Sequence, residues 1–262
     1  MRHLNYKYKQ ACRQVPQHIQ LYNSSAQDQD REGSHLAHMS QGTWITIGIM
    51  IEKDLKESDC NKYDLRNVPI LDIGGGHCSG LASFKAFFKC YAVAVEASKE
   101  TWKGSNVFQK YLLDKSPSEL PFIPIHGNAK SLDNFGGACL VYCWIKGTNE
   151  ELIHHLFDLF VEDSWAMYFI TNGNYEKHAA VVKGKVIKLD FLDGNFAFSN
   201  RKMRLFIYRK KSLCFTTRHI KMNKNQNGLS FQIMNSIKEY KNIYNLSKEK
   251  KRIAISKLFK KN

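Results

Sequence analysis

Two carboxylates bracket one strand–turn–helix–strand stretch of this chain: Asp72, within "ILDIGGGHCSG" (residues 70–80), and Glu96, closing "YAVAVE" (91–96). Three consecutive glycines, Gly74, Gly75 and Gly76, follow the first acid. Glycine tolerates backbone angles that a side chain forbids, so the turn is expected to bring main-chain N–H groups close to a ligand. The next helix, opening near Ser79, would add its N-terminus. Gly74-x-Gly76-x-x-Ser79 falls one glycine short of the dinucleotide pattern. An acid just before the turn suits a cationic group better than a pyrophosphate, and an acid ending the second strand suits a ribose diol. The alternatives are a nicotinamide dinucleotide and a glycine turn that binds nothing. A metal is not expected. His35 and His38, in "HLAH", lack a Cys or acidic partner at ligand spacing.

Such acids need strands to hold them. "PILDI" (69–73), "YAVAVEA" (91–97), "PFIPIHGNA" (121–129), "ACLVYCWI" (138–145) and "WAMYFITNG" (165–173) read as five short strands. "SGLASFKAFFK" (79–89), 99–113 and "NEELIHHLFDLFV" (149–161) read as helices between them. Strands separated by helices of this length imply right-handed crossovers and a parallel sheet covered on both faces. "VIKLDFL" and "MRLFIYR", within 185–211, leave no room for a helix between them and are predicted to pair as an antiparallel hairpin at the sheet edge. The predicted fold is a doubly wound, mostly parallel seven-stranded α/β sheet ending in that hairpin. An arm and a buried helix from "QGTWITIGIMIEKDLKES" occupy 1–66, the core 67–211, and a basic helical tail 212–262.

The charge is uneven. Residues 201–262 carry 18 Lys+Arg against Glu239 and Glu249, so the tail holds +16 of a net +15 while the body is near neutral. A block of that sign attracts phosphate polyanions, so nucleic acid or a nucleosome is the expected partner through 201–262. Seven scattered cysteines without a C-x-x-C pair argue for reduced thiols. No window approaches the roughly 20 apolar residues a membrane span needs. An intracellular, soluble protein without a membrane partner is expected, with the nucleus as its favoured compartment.

The ordered set of Asp72, the glycine turn, Glu96 and the terminal hairpin resembles the class I S-adenosylmethionine-dependent methyltransferases, over roughly 67–211. The resemblance implies S-adenosyl-L-methionine as cofactor. Asp72, Gly74, Gly75 and Gly76 would lie around its methionine moiety, Glu96 on the ribose, and Asn128 and Ala129 near the adenine. Cys78 stands where that family often has another glycine. Acceptor contacts would follow strand four, where Tyr142 and Trp144 are the candidate catalytic residues, walling a channel for a lysine or stacking on a nucleotide. No N-P-P-Y sequence occurs there, which disfavours DNA adenine as acceptor. Cys143 lacks an identifiable basic partner and reads as a buried thiol. His126, His154 and His155 are further candidate bases. The layout also loosely resembles the disruptor-of-telomeric-silencing histone-lysine methyltransferases, with "SQGTW" (40–44) as the loop closing over the cofactor. Methyl transfer to a protein lysine is the leading expectation. An RNA methyltransferase and a catalytically silent nucleic-acid-binding protein are the alternatives.

Overall fold

Five nearly wholly buried runs, β1 (Pro69–Ile73), β2 (Tyr91–Glu96), β3 (Ile123–His126), β4 (Leu140–Cys143) and β5 (Tyr168–Thr171), pair in parallel at the centre of the protein. Their burial on both faces is what continuous apolar sequence demands of a parallel sheet. The computed structural model describes residues 41–58, 65, 68–76, 78–117, 119–143, 150–195, 202–211 and 228–259. The arm 1–40 with His35 and His38, the segment 212–227, and Trp144 and Lys146 lie outside the described residues.

The sheet has seven strands in the order β3-β2-β1-β4-β5-β7-β6. β6 (Val186–Asn195) and β7 (Lys202–Lys210) form the expected hairpin, and β7 slots antiparallel between β5 and β6. The doubly wound sheet and its terminal hairpin are therefore as the sequence implies. Winding reverses between β1 and β4, which places a crevice at the carboxyl ends of the central strands.

Strand register sorts the side chains into two faces. Asp72 lies beside Ala94 and Tyr142 on one of them, and Glu96, two residues beyond Ala94, shares it. This face is covered by α1 (Gln41–Glu57), α2 (Ser79–Phe88) and α3 (Lys99–Lys115). α1 and α2 interlock through reciprocal contacts: the Trp44 indole of α1 fills the space above Gly80 of α2, and Phe88 of α2 fills the space above Gly48 of α1. α1 is also tied to the sheet by Asp54, which accepts a 2.6 Å hydrogen bond from the Tyr168 hydroxyl and faces Arg209 Nε at 3.1 Å.

The other face carries the aligned row Val93, Leu71, Val141 and Phe169. α4 (Glu150–Glu162) packs Phe157 and Phe160 on Phe169. Beside it the β3–β4 connection contains only a 3-10 turn, Ala129–Ser131, too short to shield β2 and β3. The missing cover comes from the far end of the chain. α6 (Leu229–Tyr244), which follows the short α5 (Ala179–Val182), buries Leu229, Ile233, Met234, Ile237, Tyr240 and Ile243. Tyr240 packs on Tyr91 at 5.7 Å and its hydroxyl donates to the Leu120 carbonyl. The last helix, α7 (Lys248–Phe259), buries Ile255 and Leu258. The segment read as a basic tail thus supplies, through α6, a missing layer of the core.

Candidate functional site

At the carboxyl end of β1, Asp72 is 3 % exposed and its Oδ1 has no hydrogen-bond partner among the described residues. Burial, and secondly the charge of Glu96, push its pKa up to about 8. Among the described residues its titratable neighbours are Glu96, and Cys78, Tyr142 and Cys143, whose pKa values burial raises. A buried, unsatisfied carboxyl among acids costs free energy unless something cationic completes it.

The glycine turn does not offer the main-chain donors that its composition implied. Gly74 N–H donates to Val95 O at 2.9 Å, Gly75 N–H to the same oxygen at 3.4 Å, and Gly76 N–H to Glu96 Oε2 at 3.0 Å. All three donors are spent on β2 and its terminal acid. Trp44 packs over Gly80 in the first turn of α2. A pyrophosphate needs free N–H groups at this place, and the three glycines do not supply them. What the glycines provide is room. A Cβ on Gly75 would lie 3.0 Å from Ala94 Cβ and 3.3 Å from Asp72 Oδ2, and Gly74 and Gly76 adopt φ of 75° and 54°.

Cys78 lies at the start of α2. It caps α2 with φ 60°, the left-handed conformation where glycine is unstrained, and its thiol donates weakly to Gly76 O at 3.8 Å. Burial pushes that thiol well above its ordinary range, as it does Cys143, so neither is a nucleophile.

Glu96 is fixed from both sides, with Oε2 on Gly76 N–H and Oε1 accepting from Ser98 N–H at 2.9 Å. Each oxygen retains a lone pair for a diol. Asn128, exposed at the end of β3, uses its side-chain oxygen to accept from Lys130 N at 3.0 Å, and Ala129 beside it is buried. Asp72, Glu96 and Asn128 therefore line the carboxyl ends of three adjacent strands, β1, β2 and β3.

Tyr142, register partner of Asp72, is 4 % exposed and packs against Trp44 with ring centroids 4.4 Å apart. It stands beside Asp72 on the same face of the sheet. The first turn of α1 (Gln41–Trp44), expected within a loop, is helical, and Trp44 acts from it as a fixed packing residue. Gly80→Ala is expected to force the indole aside and destabilise the protein by about 1–3 kcal/mol in urea unfolding. The same substitution on a Trp44→Ala background should cost much less; equal costs would dissociate the two residues.

The candidate bases are occupied. His126 Nε2 lies 3.2 Å from Ala97 O, and its ring packs on Trp102 at 5.5 Å. His155 Nε2 lies 3.2 Å from Leu132 O, tying the β3–β4 connection to α4, and His154 meets the Tyr175 ring edge to face. His178, not singled out from sequence, pairs Nε2 with Asp158 at 2.8 Å while Nδ1 accepts from Ala180 N–H, so it serves as a helix cap. Two further positions escaped sequence reasoning. Gly127 lies under Leu229, whose Cδ1 would be 2.6 Å from a Cβ there, and Gly136 (φ 60°) lies against the backbone of α6, with Met234 N 2.8 Å from a Cβ. Ser230 clamps the same connection, accepting from Asp133 N and Asn134 N and donating to Asn134 O.

No family model matches the chain, and no curated protein does so either. Among solved structures, the chain is similar to magnesium protoporphyrin IX methyltransferase from Synechocystis PCC 6803 with bound SAM (12 % identity, TM-score 0.45), over 73 % of this chain and 94 % of that one. It is similar to M. capricolum TrmK in complex with S-adenosyl-homocysteine (13 % identity, TM-score 0.40), over 74 % and 92 %. It is also similar to a human methyltransferase 10 domain containing protein (17 % identity, TM-score 0.44), over 64 % and 81 %.

Proposed function

We propose that the chain is an S-adenosyl-L-methionine-dependent methyltransferase. The observation that carries this reading is the unpartnered Oδ1 of Asp72, buried at the mouth of a glycine turn whose N–H groups are already used. Such a pocket selects an ammonium over a phosphate. The residues present fit the cofactor: Asp72 would hold its amino group, the glycine turn would border its methionine chain, Glu96 would hold the ribose diol, and Asn128 with Ala129 would flank the adenine. When bound, the cofactor supplies an electrophilic methyl group on a sulfonium.

The chain's own part is positioning and exclusion of water. Asp72 releases its proton to solvent as it takes up the ammonium. Glu96, locked by Gly76 and Ser98, fixes the sugar without moving. Tyr142 and Trp44 close the Asp72 side of the crevice with apolar surface.

The acceptor is read as a protein lysine presented near the end of β4, where Tyr142 and Trp144 were the sequence candidates. A lysine has a pKa near 10.4 in water and must lose its proton before it attacks, which a dry aromatic surround favours. RNA is the second reading, favoured by the basic residues of 201–262.

Calorimetry with S-adenosylmethionine is expected to give one-site binding. Absence of binding would leave a scaffold without a cofactor. Labelled cofactor offered with separate pools of histones, RNA and DNA should mark the histone pool; label in RNA alone would select the second reading.

A further inference from the structure

At the opposite, amino-terminal edge of the sheet a second constellation forms where β2 begins and α6 ends. The rings of Tyr91 and Tyr244 meet edge to face at 5.5 Å. Lys85 Nζ and Lys251 Nζ lie 5.5 Å and 4.9 Å from the Tyr244 ring centre, and Lys241 Nζ lies 5.7 Å from that of Tyr91. Lys89, exposed at the end of α2, adds a fourth ammonium. Against these, Glu119 approaches Lys85 at 3.8 Å. α7 extends the charge, with five Lys+Arg against Glu249 in "KEKKRIAISKLF". The Lys85 ammonium is nearly buried. Burial chiefly holds its pKa below the ordinary lysine value, Cys90 and Glu119 oppose this, and repulsion from Lys89 and Lys251 adds to it.

We propose that this lysine cluster is a docking surface for a nucleic-acid duplex, engaged through its phosphate backbone. Crowded ammonium groups on one edge gain most from closely spaced phosphates, whose binding releases condensed counterions. The partner is a duplex because Tyr91 is 5 % exposed and its ring is covered by lysine and tyrosine, so it offers no face for an unpaired base to stack on. Lysines are point charges that meet phosphates without reading sequence. The five residue steps from Tyr91 to Glu96 separate this surface from the crevice by roughly 16 Å. A duplex docked here therefore does not place its nearest bases in the crevice. It raises the local concentration of an acceptor reaching around the sheet, either a protein segment or a remote part of the nucleic acid. This surface stands independently of the methyl-transfer reading, because its test needs no cofactor.

The test measures binding of the full chain, without cofactor, to fluorescent DNA and RNA duplexes and to a single strand, across a salt series. The variant Lys89→Gln/Lys241→Gln/Lys251→Gln leaves the buried Lys85 in place. Relative to wild type it is expected to bind duplex at least about tenfold more weakly at 0.1 M salt, with the slope of log K against log salt shallower by about 2–3. Lys56→Gln/Lys103→Gln/Lys110→Gln, equal in charge but placed on α1 and α3, should leave the slope unchanged. If the first triple variant does not fold, Lys89→Gln and Lys241→Gln singly should each remove about one from the slope. Binding of DNA duplex, RNA duplex or both supports the proposal and identifies the source of the backbone. Equal losses in both triple variants, binding to the single strand only, or no duplex binding by the wild type overturns it.

Discussion

Asp72→Asn is expected to weaken S-adenosylmethionine binding by about 10- to 100-fold near pH 8 while stabilising the ligand-free protein. The first effect is the loss of a charge-assisted hydrogen bond, about 1.5–3 kcal/mol. The second follows from removing a buried carboxyl whose Oδ1 is unsatisfied and whose pKa stands at about 8 instead of 3.8. The folded state holds this proton where the unfolded chain releases it. The contribution of Asp72 to stability is therefore complete below about pH 4 and is lost as pH rises through 8, so the advantage of the variant should grow over that range. Binding has the opposite slope. Among the described residues the groups facing Asp72 are Glu96, Cys78, Tyr142 and Cys143, none of them a cation, so ionisation of Asp72 is coupled to uptake of the ligand's ammonium. Wild-type affinity should rise towards pH 8, by up to about tenfold for each pH unit, and fall above it as the ligand's own amine loses its proton. The variant should lack the rising limb. Calorimetry from pH 6 to 9 with thermal melts at the same values checks both halves. Unchanged affinity in the variant would remove Asp72 from the site.

Residue types made the two acids and the strands that carry them legible, because apolar runs, helical spacing and glycine punctuation are local signals. The terminal hairpin was legible for the same reason: the short span between "VIKLDFL" and "MRLFIYR" excludes a helix whatever the rest of the chain does. The direction in which the glycine N–H groups point was not local. It depends on Val95 and Glu96, one strand away, which capture the donors that an isolated glycine turn would leave open. Trp44 likewise reads as one apolar residue of a helix, and only the packing of α1 across α2 puts its indole over Gly80 and beside Tyr142. The covering role of α6 was not local either. Its apolar stripe, Ile233, Ile237 and Tyr240, answers a vacancy left by the β3–β4 connection about a hundred residues earlier.

That vacancy sets the cost of shortening the chain. Truncation before residue 228 would strip Leu229, Ile233, Met234, Ile237, Tyr240 and Ile243 from β2 and β3, exposing the outer face of the strand that ends in Glu96. Each large buried side chain removed from such a core costs about 2–5 kcal/mol, so losing six costs about as much as, or more than, the 5–15 kcal/mol that holds a typical domain together. The truncated chain is expected to aggregate or to melt without a cooperative transition, and to lose cofactor binding with the fold. A milder cut separates packing from charge. Ile237→Ala, which alters no charge, should lower urea stability by about 2–5 kcal/mol and leave the salt dependence of duplex binding unchanged, whereas the lysine variants on the same edge should do the reverse. A truncated protein that stays folded and binds cofactor like the full chain would show that α6 is not the layer that covers β2 and β3.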